Sequence, residues 1–246
     1  KTCSLIYNGN CPTELVAHFI DLAKGNAPAT SPSSLFSATP FKANTERDHY
    51  LSQIERIQSY IDAGDCYQVN FTQRFEATFT GDTFEAYQRL RQQLPSPFSC
   101  YFETEYGAIL SLSPERFIAC DNGRAIAQPI KGTSRRGRTE EEDSQLAQEL
   151  RQSSKNQAEN LMIVDLLRND LSKSCSPNSV KTSKLFDLES YANVHHLVST
   201  VQGQLKPEVT PLSLLKSSFP GGSITGAPKI RAMEIIDQME PVKRGV

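Results

Sequence analysis

The chain has 246 residues, enough for one large domain or two small ones, and 38% of them are hydrophobic, so a packed core is expected and disorder is not. Lys and Arg total 26 against 28 Asp and Glu, a formal charge of -2 that gives no electrostatic footprint for nucleic acid or anionic lipid. No apolar run approaches the roughly 18 residues of a membrane span; the longest candidate, Leu161 to Leu167, is broken by Asp165.

The first methionine is Met162, and the chain opens Lys1-Thr2-Cys3 and stops at Arg244-Gly245-Val246. No charged-then-apolar leader stands at its start, and we read it as a segment of something longer. Six cysteines (Cys3, Cys11, Cys66, Cys100, Cys120, Cys175) are scattered without C-x-x-C or zinc spacing. Cys66, Cys100 and Cys120 fall in strand-like stretches, where reduced, packed thiols are expected, and the cytosol fits best.

In chain order, a helix over Glu14 to Lys24 gives way to an Ala/Pro/Ser-rich loop from Asn26 to Pro40. Tyr50, Ile54, Ile57 and Ile61 repeat at helical spacing, with Gly64 as the stop. A long alternating strand follows. Val69, Phe71, Phe75, Ala77 and Phe79 would share one face and Gln68, Asn70, Thr72, Arg74 and Glu76 the other, solvated or lining a cleft. A helix covers Asp82 to Leu94, closed by Pro95 and Pro97. Short strands succeed it at Ser99 to Glu103, Tyr106 to Leu112, Arg116 to Cys120 and Arg124 to Ile130, joined by tight turns that argue for antiparallel pairing. A polar stretch, Arg135 to Asp143, leads to a helix bearing Leu146 and Leu150 and to another at about Asn156 to Asn169. Strands at Val180 to Leu188 and His196 to Gln202 and helices near Pro211 to Ser217 and Pro228 to Glu240 complete an α+β chain.

Five places carry candidate chemistry. Lys131, at a strand end between Pro129-Ile130 and Gly132-Thr133, is a solvated turn lysine or, in a partly dry site, a nucleophile or base; Gly132 removes a side chain beside the amine. Glu115, after Pro114 and between two strands, is half of a surface pair with Arg116 or an acid raised by burial. Glu159, near a helix start, is a favourable N-terminal charge or a magnesium ligand in need of companions. His195 and His196 open a strand and point to opposite faces, one packing and the other lining a cleft. Phe219 to Lys229 is a glycine-rich loop feeding a helix with Pro228 at N1; it is an ordinary loop or a cradle for a carboxylate or phosphate. Ala227 stands where a P-loop requires lysine.

Taken together and in order, Gly64-Asp65-Cys66-Tyr67-Gln68-Val69-Asn70, Ser111 to Phe117, Pro129 to Thr133, Glu159 to Leu166, His195 to Ser199 and Gly221 to Lys229 resemble the chorismate-utilising enzymes along nearly the whole chain. Within that family the resemblance is to the aminodeoxychorismate synthases, which carry lysine at the position of Lys131 where anthranilate synthases carry alanine. It implies two packed, mainly antiparallel sheets flanked by helices, incomplete here. Residues 1–246 would be a partial chorismate-binding catalytic domain, with 1–45 the remnant of an N-terminal part and 46–246 a core lacking its C-terminal strands. It further implies Lys131 as nucleophile on the chorismate ring, Glu115 as acid on the leaving oxygen, and His196 as an active-site histidine. Gly132, Thr133, Thr225 and Gly226 match the substrate cleft. Gln68 replaces the water-activating lysine of isochorismate-forming relatives and so disfavours hydrolytic chemistry. Pro97, Phe98 and Ser99 match part of a tryptophan pocket, and Glu159 a magnesium ligand. The implied partners are chorismate, a separate glutamine amidotransferase subunit that supplies ammonia, and tryptophan. Ser134-Arg135-Arg136 stands where the family more often has Arg-Pro-Arg. Anthranilate synthase chemistry and a ligand-binding segment without turnover are the alternatives, and the segment alone is expected to have little activity.

Overall fold

In the computed structural model the described residues are 11–21, 24 and 36–245. The elements run α1 (Thr13–Asp21), β1 (Ser37–Ala38), β2 (Lys42–Ala43), α2 (Arg47–Asp62), β3 (Gln68–Val69), β4 (Phe75–Glu76), β5 (Phe79–Thr80) and α3 (Thr83–Gln93). Then come β6 (Phe98–Thr104), β7 (Gly107–Ser113), β8 (Arg116–Asp121), β9 (Arg124–Gln128), β10 (Ile130–Arg135), α4 (Glu140–Gln152) and α5 (Ser154–Ser174). The chain closes with β11 (Lys181–Ser190), β12 (Val194–Gln204), α6 (Pro211–Ser218), a 3₁₀ turn (Gly222–Ile224), β13 (Gly226–Ala227) and α7 (Lys229–Met239).

The organising element is β12. On one side it pairs with β11 along its length; on the other it pairs with β10 through Val194–Val198 and with β9 through Val201–Gln204. β8 adds to the far edge of β9, which completes a five-stranded sheet of antiparallel pairs. A strand of that length, hydrogen-bonded on both edges, is buried from His195 through Val201. The remaining described strands form two-stranded antiparallel pairs: β1 with β5, β2 with β4, β3 with β13, and β6 with β7. The α+β expectation holds, with its strands divided in this way.

Helix α5 covers the sheet. Its Ile163, Val164, Leu167 and Leu171 recur every three or four residues and meet Ala125 and Ala127 of β9 and Val201 of β12 in the principal core. Ser153 caps its first turn by accepting from the Asn156 N–H at 3.3 Å. The helix runs five residues past the predicted end because Leu171 and Ser174 are also buried against this face. A second, smaller core joins Ile57 of α2, Cys66, and Ile235 and Met239 of α7, with Val69 and Phe71 packed on it.

The long strand predicted over residues 68–79 does not form. The chain is cut into β3, β4 and β5, which pair with three different partners, β13, β2 and β1. Its supposed apolar face splits accordingly, for Val69 and Phe71 pack on the second core while Phe75 is 54% exposed. Two further expectations are corrected. Cys66 is buried but lies between α2 and β3, and Cys100 is exposed on β6. Ser37–Ala38 forms a short strand inside the predicted loop over 26–40, whose residues 26–35 lie outside the described residues.

Helices α5 and α7 are tied by charge. Asp170 is 1% exposed and accepts from Lys229 Nζ and, at 3.0 Å, from Lys173 Nζ; Lys229 Nζ also donates to the Ser218 carbonyl at 2.9 Å. Removing one partner strands the other in a dry site, so Asp170→Ala is expected to cost about 3 kcal/mol. A urea unfolding midpoint well below the parent's with an unchanged slope shows this, whereas coincident curves contradict it.

Candidate active site

Lys131 is the second residue of β10, not the end of a strand as predicted. Pro129 cannot donate a ladder hydrogen bond, so it separates β9 from β10. Its carbonyl still accepts from Ser199 N at 3.2 Å, and both strands continue along β12. Between Ile130↔Val198 and Thr133↔His196 the register shifts, with one residue more on β10 than on β12. Lys131 and Gly132 form this bulge, a device that re-aims a side chain out of the regular alternation.

Gly132 has φ +96, in the left-handed region. A Cβ there would lie 3.0 Å from Leu150 Cδ1 and 3.0 Å from Asn156 Cγ. The missing side chain therefore serves the seating of the α4–α5 junction against the bulge.

Glu115 sits at the β7–β8 corner. The Ser113 hydroxyl ties the corner, accepting from Glu115 N at 3.2 Å and donating to its carbonyl at 3.1 Å. The Glu115 carboxyl is turned inward, where Ser223 Oγ donates to Oε1 at 2.8 Å and the Ile130 N–H also reaches it. Burial pushes this carboxyl above the ordinary glutamate range, while Ser223, Ile130 and the charge of Lys131 pull it back. The Lys131 charge is felt at Glu115 only as the weakest of these influences, with no ion pair between the two, and the supposed Glu115–Arg116 surface pair is absent. The Arg116 guanidinium turns to the ring of Phe98, 4.7 Å from its centroid.

The two histidines do point to opposite faces. His195 is 2% exposed and is held by Ser190 Oγ at 2.8 Å and Asp143 Oδ1 at 2.9 Å. Arg136 donates twice to the same aspartate and holds its carboxyl far below the usual range, so His195 belongs to a packed network that joins α4 to β12. His196, 8% exposed, bonds Thr133 Oγ1 through Nδ1 at 3.0 Å and meets the Tyr191 ring edge to face. Its imidazole is pushed below the ordinary histidine value by burial, with Glu189 opposing. A cavity of about 220 Å³ opens beside it, lined also by Pro97, Pro114 and Tyr191.

The glycine-rich loop reaches Glu115 through Ser223. Thr225 is buried and its hydroxyl donates to the Gly221 carbonyl at 2.9 Å, so it shapes the turn. Gly226 pairs with Val69, and Ala227 with Gln68; a Cβ on Gly226 would lie 2.0 Å from the Gln68 carbonyl oxygen. Pro228 is the N-cap of α7 and not its first residue, and Lys229 turns away to Asp170. A groove of about 1040 Å³ lies beside Asn70, Thr225 and Arg244, and neither Lys131 nor Glu115 lines it.

Two predicted sites stand apart from this corner. Glu159 is 42% exposed in its side chain, lies in the second turn of α5 and not its first, and has Lys155 at 3.9 Å. Among the described residues, no group of three or more His, Cys, Asp and Glu side chains is placed to hold a metal. Of the tryptophan-pocket residues, Pro97 lines the His196 cavity, Phe98 carries Arg116, and Ser99 Oγ donates to the Ser96 carbonyl. Sequence reading missed Ser223 and also Asn160, fully buried, which donates to the Leu197 carbonyl at 3.2 Å and accepts from Ser199 Oγ at 2.6 Å. A polar residue on the apolar stripe of α5 was the available signal for Asn160.

A half-buried carboxyl at a strand corner, raised by its burial and feeling the charge of a nearby lysine, is suited to acid–base work on a small molecule. The sequence profile of the chorismate binding enzymes matches residues 8–246, and the chain belongs to that family. It is 50% identical over 215 residues to aminodeoxychorismate synthase component 1 of Escherichia coli (strain K12), covering 87% of this chain and 48% of that protein. It is 48% identical over 223 residues to the protein of the same name from Salmonella typhimurium, covering 91% and 49%. The crystal structure of anthranilate synthase component I from Streptococcus pneumoniae superposes with a TM-score of 0.79 at 33% identity, over 97% of this chain and 54% of that one. The chain spans about half the length of the curated relatives it matches. Among the described residues, no helix is long and apolar enough to cross a membrane.

The folded state holds the Glu115 proton more tightly than the unfolded chain does. Stability from this source is fully present below the ordinary glutamate range and is lost as pH rises through the raised midpoint. Glu115→Gln removes the loss. Its melting temperature is expected to exceed the parent's above about pH 8 and to match it below about pH 4. A variant less stable than the parent at both ends contradicts the burial argument.

Proposed function

We propose that this chain carries the chemistry of aminodeoxychorismate synthase component 1, in which chorismate and ammonia give 4-amino-4-deoxychorismate and water. The observation that carries it is the Glu115 carboxyl, raised by burial and held by Ser223, with the charge of Lys131 at the bulge felt there. In this reading Lys131 Nζ, as the free amine, forms a bond to the chorismate ring while the C4–O bond breaks. Glu115 gives its proton to the departing hydroxyl, which leaves as water. Ammonia then attacks C4, the bond to Lys131 breaks, and the proton lost by the incoming nitrogen returns to Glu115. Splitting one displacement into two easier ones is the general gain of covalent catalysis. The raised carboxyl is suited to remain protonated until the leaving oxygen needs it. A neutral imidazole at His196, bonded to Thr133, suits a polar wall of the cleft that does not compete for that proton.

The curated relatives are named as component 1 of their enzymes, which supports a further component, and we assign that role to a glutamine amidotransferase that delivers ammonia. The reading places the protein in the cytosol, where thiols stay reduced; Cys11, Cys66, Cys100, Cys120 and Cys175 are free. Magnesium binds through one or two carboxylates together with water and substrate oxygens. Glu159 would supply one such carboxylate, and the ion would offset the negative charge of a bound dianionic substrate.

Lys131→Ala in the intact natural protein is expected to lower aminodeoxychorismate formation roughly 100-fold or more. Product analysis after lyase treatment, which separates para- from ortho-aminobenzoate, reads the outcome. An unchanged yield of the para isomer rules out the lysine as nucleophile, and an ortho product from the parent points to anthranilate synthase chemistry.

A further inference from the structure

We propose that Ser223 is a positioning residue for Glu115, its hydroxyl holding the carboxyl between the glycine-rich turn and Lys131; this rests on the reading of Glu115 as the acid.

The turn that carries Ser223 is fixed from several sides. Ile224 N donates to the Gly221 carbonyl at 3.3 Å, Thr225 N to that of Gly222 at 3.2 Å, and Thr225 Oγ1 to that of Gly221 at 2.9 Å. From outside, Asn70 Nδ2 donates to the Ser223 carbonyl at 3.1 Å, and Arg244 donates to the Ile224 carbonyl. The two glycines set its depth. A Cβ on Gly222 would lie 2.2 Å from Leu166 Cδ2 on α5, and one on Gly221 would lie 3.2 Å from the Phe117 ring. The turn is thereby pressed against α5 and β8, and Ser223 projects from it to the one carboxyl at the corner.

A hydroxyl is the group a working acid needs at this point. It accepts from a protonated carboxyl and donates to the ionised one, so it follows both states of Glu115 without moving. A backbone N–H, such as that of Ile130, only donates and favours the ionised state alone. The charge felt at Glu115 is that of Lys131 on β10, and the neighbouring Arg116 is turned to Phe98. Ser223 is thus the adjustable contact, and without it the carboxyl keeps its burial and loses a donor to its charged form.

The test has two arms on Ser223→Ala and Ser223→Thr in the intact natural protein. In the first, Glu115 is titrated by carboxyl ¹³C NMR, with Glu115→Gln identifying its signal. Ser223→Ala is expected to move the Glu115 midpoint upward, and Ser223→Thr, which keeps the hydroxyl, to retain the parental curve. In the second, the rate of chorismate amination is followed against pH. For Ser223→Ala the alkaline limb moves upward with the midpoint, and the plateau falls roughly tenfold as the acid loses its orientation. An alanine variant that titrates like the parent, or alanine and threonine variants that shift alike, overturns the proposal. A parent protein that aminates no chorismate defeats the functional reading instead, while the titration still decides the role of Ser223.

Discussion

The candidate site depends on one irregularity, the bulge that inserts Lys131 and Gly132 into the pairing of β10 with β12. A regular ladder would alternate Ile130, Lys131, Gly132 and Thr133 strictly between faces. With the extra residue, the Ile130 N–H reaches Glu115, the charge of Lys131 is felt there, and Thr133 comes opposite His196 and bonds its ring. The left-handed backbone at Gly132 is the local condition for this, and the closeness of Leu150 and Asn156 keeps it so.

A bulge is weakly specified by itself, and here three buried polar contacts hold the strands around it. Asn160 on α5 joins the Leu197 carbonyl and the Ser199 hydroxyl, next to His196. The Arg136–Asp143–His195 network fastens the end of β10 and the start of α4 to β12. Asp170 and Lys229 bind α5 to α7 at the entry to the glycine-rich turn. Such groups cost free energy to bury unless each is partnered, and each of these is. Lys131 is therefore set on a strand paired with the most buried strand of the sheet, and Glu115 takes a support from a different part of the chain, the turn at residues 222–224.

Much of this was legible in the sequence wherever a local rule governed. The capped helices α3, α4 and α6, the β6–β7 hairpin and the buried stripe of α7 follow from capping residues, turn chemistry and periodicity. The strand over residues 68–79 failed because alternation reports only that side chains take turns; the pairing partners β1, β2 and β13 lie far off in sequence and cut it into pieces. The site residues were named from motif resemblance, but their roles depended on long-range placement. The Thr225 hydroxyl also closes its own turn, and the missing side chain of Gly132 also gives room to α4 and α5, neither of which the motifs reveal. Ser223 carries no signal in sequence beyond being a serine among glycines, and its value comes from a carboxyl 108 positions away.

The proposed chemistry rests on a single assertion, that the amine of Lys131 becomes bonded to the substrate ring. The most direct measurement is peptide mass spectrometry of the intact natural protein quenched during incubation with chorismate in the absence of ammonia. The account predicts that the peptide containing Lys131 gains the mass of chorismate less one water, and that added ammonia discharges it. A Lys131 peptide that stays unmodified, in a preparation that forms product once ammonia is supplied, would contradict it.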